Sequence, residues 1–137
     1  MTLRLAEIDM FAGLSETDRR AMAEQGHEVS YEARSVLAEE GMPRAAFHLV
    51  LAGSADVEVH GEHRGTLQPG AHFGEISLID GAPRSATVRA GPKGVTTFGI
   101  AHWAFTPILQ EHPEVALHLL KVLCARLRAA ESATETH

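Results

Sequence analysis

One segment of the chain concentrates residue types that hold phosphate and sugar: Phe73-Gly74-Glu75-Ile76-Ser77-Leu78-Ile79-Asp80-Gly81-Ala82-Pro83-Arg84-Ser85-Ala86-Thr87-Val88. Gly74 allows backbone conformations, and a close approach to a ligand, that a Cβ forbids. If residues 75–78 begin a helical turn, their free N–H groups point one way and form an anion site. Arg84 follows a proline-containing turn, and its planar fork can meet two phosphate oxygens at once. Glu75 does not suit a phosphate but can accept hydrogen bonds from a sugar hydroxyl. Together these groups have the chemistry to hold a small phosphorylated nucleotide. The spacing of Glu75 and Arg84 by itself is equally open to an internal salt bridge between them.

The elements that must position this segment are short strands between helical ends. Ser15, followed by Glu16 and Asp18, reads as a helix cap with acidic residues in the first turn, and Gly26 as the stop. Another short helix is expected over residues 3–10. From His27 to Ala101 the pattern is one of strands with glycine punctuation. Ala55-Asp56-Val57-Glu58-Val59-His60 alternates apolar and polar residues, and Phe47, Leu49 and Leu51 form an inward row one strand earlier. Gly53-Ser54 is expected as the hairpin turn between them. Further strands are expected over 28–31, 36–39, 64–68, 86–90 and 95–100. Residues 102–110 read as a helix, and Pro113 suits the first turn of the next. There Ala116, Leu120, Leu123 and Leu127 form one apolar stripe, and Val115, Leu119 and Val122 a second beside it. One stripe can cover the sheet and leave the other for a partner; equally, both can face one core. Residues 131–137 read as a frayed tail.

With 137 residues, 45% hydrophobic and 22% charged, the chain suits one domain with a real core. Its formal net charge of −6 argues against a surface that clings to nucleic acid through phosphate neutralisation, while leaving room for one small anion on a local arginine. The single cysteine, Cys124, excludes an internal disulfide and is expected in the core or at an interface. No apolar run approaches the roughly 20 residues of a membrane helix. Glu7 and Asp9 make the N-terminal stretch a poor signal peptide. A cytoplasmic location without a membrane partner is expected.

The string from Phe73 to Val88 goes beyond spacing. It resembles the phosphate-binding cassette of the cyclic nucleotide-binding domain family, which includes regulatory subunits of cyclic AMP-dependent kinase, cyclic nucleotide-gated channels and bacterial catabolite activator proteins. That cassette reads Phe-Gly-Glu-(Leu/Ile)-small-Leu, a short variable turn, then Arg-(Ser/Thr/Ala)-Ala-(Thr/Ser)-Val, and every element stands here. The likeness covers nearly the whole chain. Phe11-Ala12-Gly13-Leu14-Ser15 is similar to the family's leading helix, residues 47–59 to its strand pair before the cassette, and residues 113–128 to the helix that flanks or closes the pocket. One departure is Ala33-Arg34, where members often carry a turn glycine; it bears on that hairpin, not on the pocket.

The resemblance implies a mainly β fold with flanking helices (α+β): a β roll, or double-stranded β-helix jelly roll, of about eight strands. It implies a single domain over 1–137, with N-terminal helices in 1–26, the roll in 27–101, the cassette in 73–88 and C-terminal helices in 102–133. The implied function is non-catalytic, reversible binding of cyclic AMP or cyclic GMP, with no other cofactor. By the same resemblance Glu75 accepts the ribose 2′-hydroxyl and Arg84 pairs with the cyclic phosphate. Gly74, Ile76 and Ser77 present backbone to the ribose and phosphate, Ser85 and Ala86 complete the phosphate cradle, and Phe73 is counted with them among the ligand-binding residues. Relatives that sense iron–sulfur clusters or haem usually lose the Glu/Arg pair, which this chain keeps. Ser85 does not decide between the two bases. The residue covering the base is expected from the C-terminal helix, with Leu123 and Arg126 as candidates. Ligand is expected to repack that helix and to change how a partner chain, or a second copy, is held through 113–128. No helix-turn-helix or basic run follows Arg128, so direct DNA binding by this chain is not expected.

Two rival readings stand beside this one. The first is a structural or interaction module of the same fold that does not respond to nucleotide. The second is a metal-dependent cupin-like enzyme, suggested by nine histidines, among them His60-Gly61-Glu62-His63 and His72-Phe73-Gly74-Glu75. The cupin ligand spacing is absent, so no metal site is expected. His60 and His63 are expected in solvent, and His72 exposed or at the pocket rim. Ser77 and Ser85 have no general base in their own segment, so no catalytic residue is expected. Trp103 and Phe105 are expected in the core, with stacking on a base as the alternative.

Overall fold

The computed structural model describes residues 14–42 and 46–135. The helix expected over 3–10 and the Phe11-Ala12-Gly13 part of the leading helix lie outside the described residues. In chain order the elements are α1 (Glu16–Gln25), β1 (Gly26–Tyr31), β2 (Val36–Ala38), β3 (Ala46–Val59), β4 (Glu62–Leu67), β5 (His72–Phe73), α2 (Glu75–Asp80), β6 (Thr87–Ala101), α3 (His102–Glu111) and α4 (Pro113–Glu135). Ser15 caps α1 as its sequence suggests, its hydroxyl accepting from the Asp18 N–H at 3.1 Å.

The strands run β1-β6-β3-β4, with β2 also on β6 and β5 also on β3. β3 and β6 pair antiparallel from Ala46↔Ala101 to Glu58↔Thr87. Each of these long strands stands where two short ones were expected. Gly53-Ser54 is not a hairpin turn: the chain runs on through it with Gly53 at φ 76°, and the register shifts between Gly53 and Ala55. A Cβ on Gly53 would lie 2.3 Å from the Gly94 carbonyl oxygen, so only glycine fits this bulge. Glycine punctuates turns and bulges alike, which is why the two could not be told apart in the sequence. The described strands number six and the sheet stays open rather than closing into a barrel. The β-roll class with flanking helices stands.

Alternate residues of β3 feed two cores. Phe47, Leu49 and Leu51 pack with Met22 of α1, Phe98 and Ile100 of β6, Phe105 and Ile108 of α3, and Val115 and Leu119 of α4. The rings of Phe47 and Phe105 stack at 5.0 Å. The intervening Val50 joins Ala55, Phe73, Val88, Ala90 and Val95 in the second core. Each fully buried Val, Leu, Ile, Phe or Met among them contributes about 2 kcal/mol. The helical core anchors α3 and α4 against the sheet; the second core forms the floor beside the cassette.

Two expectations about the helices need correction. On α4, Val115 and Leu119 are buried and Leu123 packs against the core, while Leu117, Leu120, Cys124 and Leu127 are exposed. The core-facing side thus cuts across the expected stripes, taking Leu123 from one and leaving Leu120 and Leu127 outside. Cys124 is not a core residue. Trp103 is 70% exposed, whereas Phe105 is fully buried, because Ala104, Phe105 and Ile108 occupy the inward side of α3.

Candidate functional site

The turn-rich segment closes one side of a cavity of about 300 Å³. Ala38, Val57, Leu67 and Val88 give it an apolar wall from four strands. His72, Phe73, Gly74 and Glu75, then Arg84, Ser85 and Ala86, give it a polar rim, and Arg126 reaches it from α4. The expected pair therefore lines a single cavity: Glu75 is 1% exposed and Arg84 7%. Ile76 and Ser77 lie in α2, immediately after Glu75.

Glu75 and Arg84 do not form the direct salt bridge that their spacing left open; each is held by other groups. Arg84 Nη2 donates to the Ala46 carbonyl at 2.8 Å. Backbone bonds fix its segment, with Gly41 N–H donating to Arg84 O at 2.8 Å and Arg84 N–H to Met42 O at 3.0 Å. Burial pushes the guanidinium below its usual range and the nearby Glu75 pulls it back; an arginine stays charged under either influence. Gly74 makes this packing feasible. It sits at φ 97°, and an added Cβ would lie 2.4 Å from the Ala46 oxygen and 3.0 Å from Arg84 Nη1. Only glycine lets the cassette backbone close on the arginine and its carbonyl anchor.

Glu75 is gripped from α4. Arg126 Nη1 donates to Oε1 at 2.8 Å and Nη2 to the His72 carbonyl at 3.0 Å. His72 Nδ1 lies 3.2 Å from Oε2 without the alignment of a hydrogen bond. Burial pushes the Glu75 carboxyl up; His72, the backbone and Arg126 outweigh it and hold the pKa below the usual carboxylate range. The site thus presents an ionised, buried carboxylate and a buried cation on one wall of a cavity whose other wall is apolar. Such a surface suits a small ligand that carries an anionic group, a hydroxyl to donate to a carboxylate and an apolar part.

On three points the structure decides between sequence-based alternatives or adds to them. His72 is at the cavity and not in solvent: it is 4% exposed and among the lining residues, and β5 pairs it with Leu49 of β3, which buries its ring beside Phe47 at the edge of the helical core. Of the two candidates on α4, Arg126 reaches the cavity whereas Leu123 packs into the helical core. His48 drew no attention in the sequence, yet it is buried behind the cassette, its ring stacked 4.8 Å from that of Phe73 and its Nδ1 3.0 Å from Thr97 Oγ1. Its place between apolar neighbours in an alternating strand was the only signal. Burial, and then the charge of Arg84, lower its pKa to about 4. His60 sits in the β3–β4 turn and His63 in β4 opposite Glu58, 82% and 59% exposed at the side chain. Among the described residues no group of three His, Cys, Asp or Glu is placed to hold a metal ion.

Residues 28–112 match the model of the cyclic nucleotide-binding domain. The cAMP-dependent protein kinase regulatory subunit of Yarrowia lipolytica is 35% identical over 98 residues, covering 69% of this chain and 26% of that protein. The match thus spans about a quarter of that relative's length. Among solved structures, the Catabolite Activator Protein of Thermus thermophilus superposes with a TM-score of 0.81 at 25% identity, over 93% of this chain and 62% of the other. The N-terminal domain of a transcriptional regulator from Streptomyces coelicolor A3(2) gives 0.73 at 27% identity, over 95% and 94%.

Proposed function

The chain belongs to the cyclic nucleotide-binding domain family, and from that membership we propose that it binds a cyclic nucleotide monophosphate, cyclic AMP or cyclic GMP, without catalysis. The observation that carries this is the joint burial of Glu75 and Arg84 on one cavity of about 300 Å³. Arg84 pairs with the cyclic phosphate, helped by the backbone of Gly74, Ile76, Ser77, Ser85 and Ala86. Glu75 accepts the ribose 2′-hydroxyl. The base lies along the wall of Val57, Leu67 and Val88, under Arg126.

Ligand then acts on α4. The helix is tied to the site through the Arg126–Glu75 contact, so a sugar hydroxyl arriving at Glu75 changes how α4 is held, and the helix repacks. Outside, Leu117, Leu120, Cys124 and Leu127 recur at the spacing of a coiled-coil seam. They form the surface through which a second copy or a partner chain senses that change.

Calorimetric titration with cyclic AMP and cyclic GMP tests the reading. The wild-type chain binds at least one of them, and Arg84→Ala weakens that binding by about a hundredfold, the scale of losing a charge-assisted contact. Absence of binding to both nucleotides by a folded wild-type chain would leave an interaction module and overturn the proposal.

A further inference from the structure

Three buried side-chain atoms lack a hydrogen-bond partner among the described residues: Nδ1 and Nε2 of His72 and Oε2 of Glu75. They belong to neighbours. His72 Nδ1 and Glu75 Oε2 are 3.2 Å apart, within reach but misaligned. The ring of His72 lies 5.6 Å from that of Phe47, at the edge of the helical core, and Arg126 binds its carbonyl from α4. An apolar side chain would fill this place without unpaired nitrogens, so packing alone gives no reason for an imidazole. Geometry gives one. A small rotation of the ring or of the carboxylate brings Nδ1–H onto Oε2, the unpaired oxygen of the group on which the binding of sugar depends.

We propose that His72 is a positioning residue for Glu75: its imidazole backs Oε2 while Arg126 holds Oε1, and together they fix the plane in which the carboxylate meets a sugar hydroxyl. The inference rests on the proposed binding of a cyclic nucleotide. A carboxylate anchored through one oxygen can still turn about its terminal bond. Anchored through both, it meets the hydroxyl already aligned, and less freedom is lost on binding. Each oxygen has about two lone-pair sites, so the doubly anchored carboxylate keeps acceptor capacity for the hydroxyl, whose arrival then shifts the Arg126 contact on Oε1 while His72 holds the plane.

The role is read by comparing a cyclic nucleotide with its 2′-deoxy analogue, because the deoxy ligand has no hydroxyl for Glu75 to receive. The full chain is titrated with cyclic AMP and 2′-deoxy cyclic AMP, or with the guanosine pair if wild type prefers it. Wild type favours the ribose form. His72→Phe loses about tenfold in affinity for the ribose form and no more than about twofold for the deoxy form. His72→Gln, whose amide still offers an N–H, keeps most of the ribose preference. Should His72→Phe not fold, His72→Leu takes its place. An equal loss for both ligands, or an unchanged ribose preference in His72→Phe, overturns this inference alone. A wild-type chain that binds no cyclic nucleotide overturns the proposed function, and this inference with it.

Discussion

His48 and Arg34 show how single residues depart from what their positions prefer. His48 is buried, stacked on Phe73 and bonded to Thr97, and its pKa falls from 6.5 to about 4 through burial and the charge of Arg84. The folded chain therefore binds fewer protons than the unfolded one between those values. Stability from this group is fully present above pH 6.5, falls as pH drops toward 4, and is gone below it, a loss of roughly 3 kcal/mol. Urea unfolding from pH 7 to 4 should show that loss in wild type and a shallower one in His48→Gln; parallel curves would contradict it. Arg34 occupies the left-handed region at φ 72° in the β1–β2 turn, where Ser35 N–H bonds to Glu32 O. This is the turn in which the family often carries glycine, and arginine keeps the geometry at a conformational cost. Arg34→Gly is expected to stabilise the fold by ~1 kcal/mol, the relief of a left-handed side chain less the added freedom of the unfolded chain; a lower thermal midpoint would contradict it. The cassette residues were legible because their chemistry is contiguous in sequence. The burial of His48 and His72 was not, because it comes from pairing β5 with β3, a long-range register that neither segment encodes alone.

Among the elements, α4 carries the most consequence. Its helical period was plain in the sequence, but which apolar residues face inward depends on where α3 and the sheet meet it. The two adjacent leucines now separate: Leu119 is 1% exposed and Leu120 56%. Leu119→Glu buries a charge in the helical core and is expected to cost more than about 3 kcal/mol. Leu120→Glu should leave the thermal midpoint within a few degrees while weakening the self-association or partner capture proposed for the exposed row of Leu117, Leu120, Cys124 and Leu127. Sedimentation and thermal melts on both variants check this, and an unfolded Leu120→Glu would place that side chain in the core instead. The long strands teach the complementary lesson. The alternation in 55–60 and the row of Phe47, Leu49 and Leu51 predicted strands correctly. Only their common pairing with β6, in which Gly53 lies opposite Val95 and leaves no room for a Cβ against the Gly94 carbonyl, joins them into one bulged strand.

Across the whole molecule, an acidic chain with a formal charge of −6 concentrates two buried or half-buried arginines, Arg84 and Arg126, at one cavity. That local reversal of sign suits a small anion and not a polyanion. The mainly β class followed from the alternating strand patterns, and the β roll from the resemblance that the cassette carries, since neither a phosphate loop nor strand spacing by itself selects a roll. The openness of the sheet could not be read in the same way, because closure depends on edges meeting in space. The most direct measurement is a crystal structure of the chain grown with the cyclic nucleotide it binds. The account predicts the cyclic phosphate on Arg84, the ribose 2′-hydroxyl on Glu75, and a changed Arg126–Glu75 contact. A ligand bound elsewhere, with Glu75 and Arg84 unmoved and untouched, would contradict it.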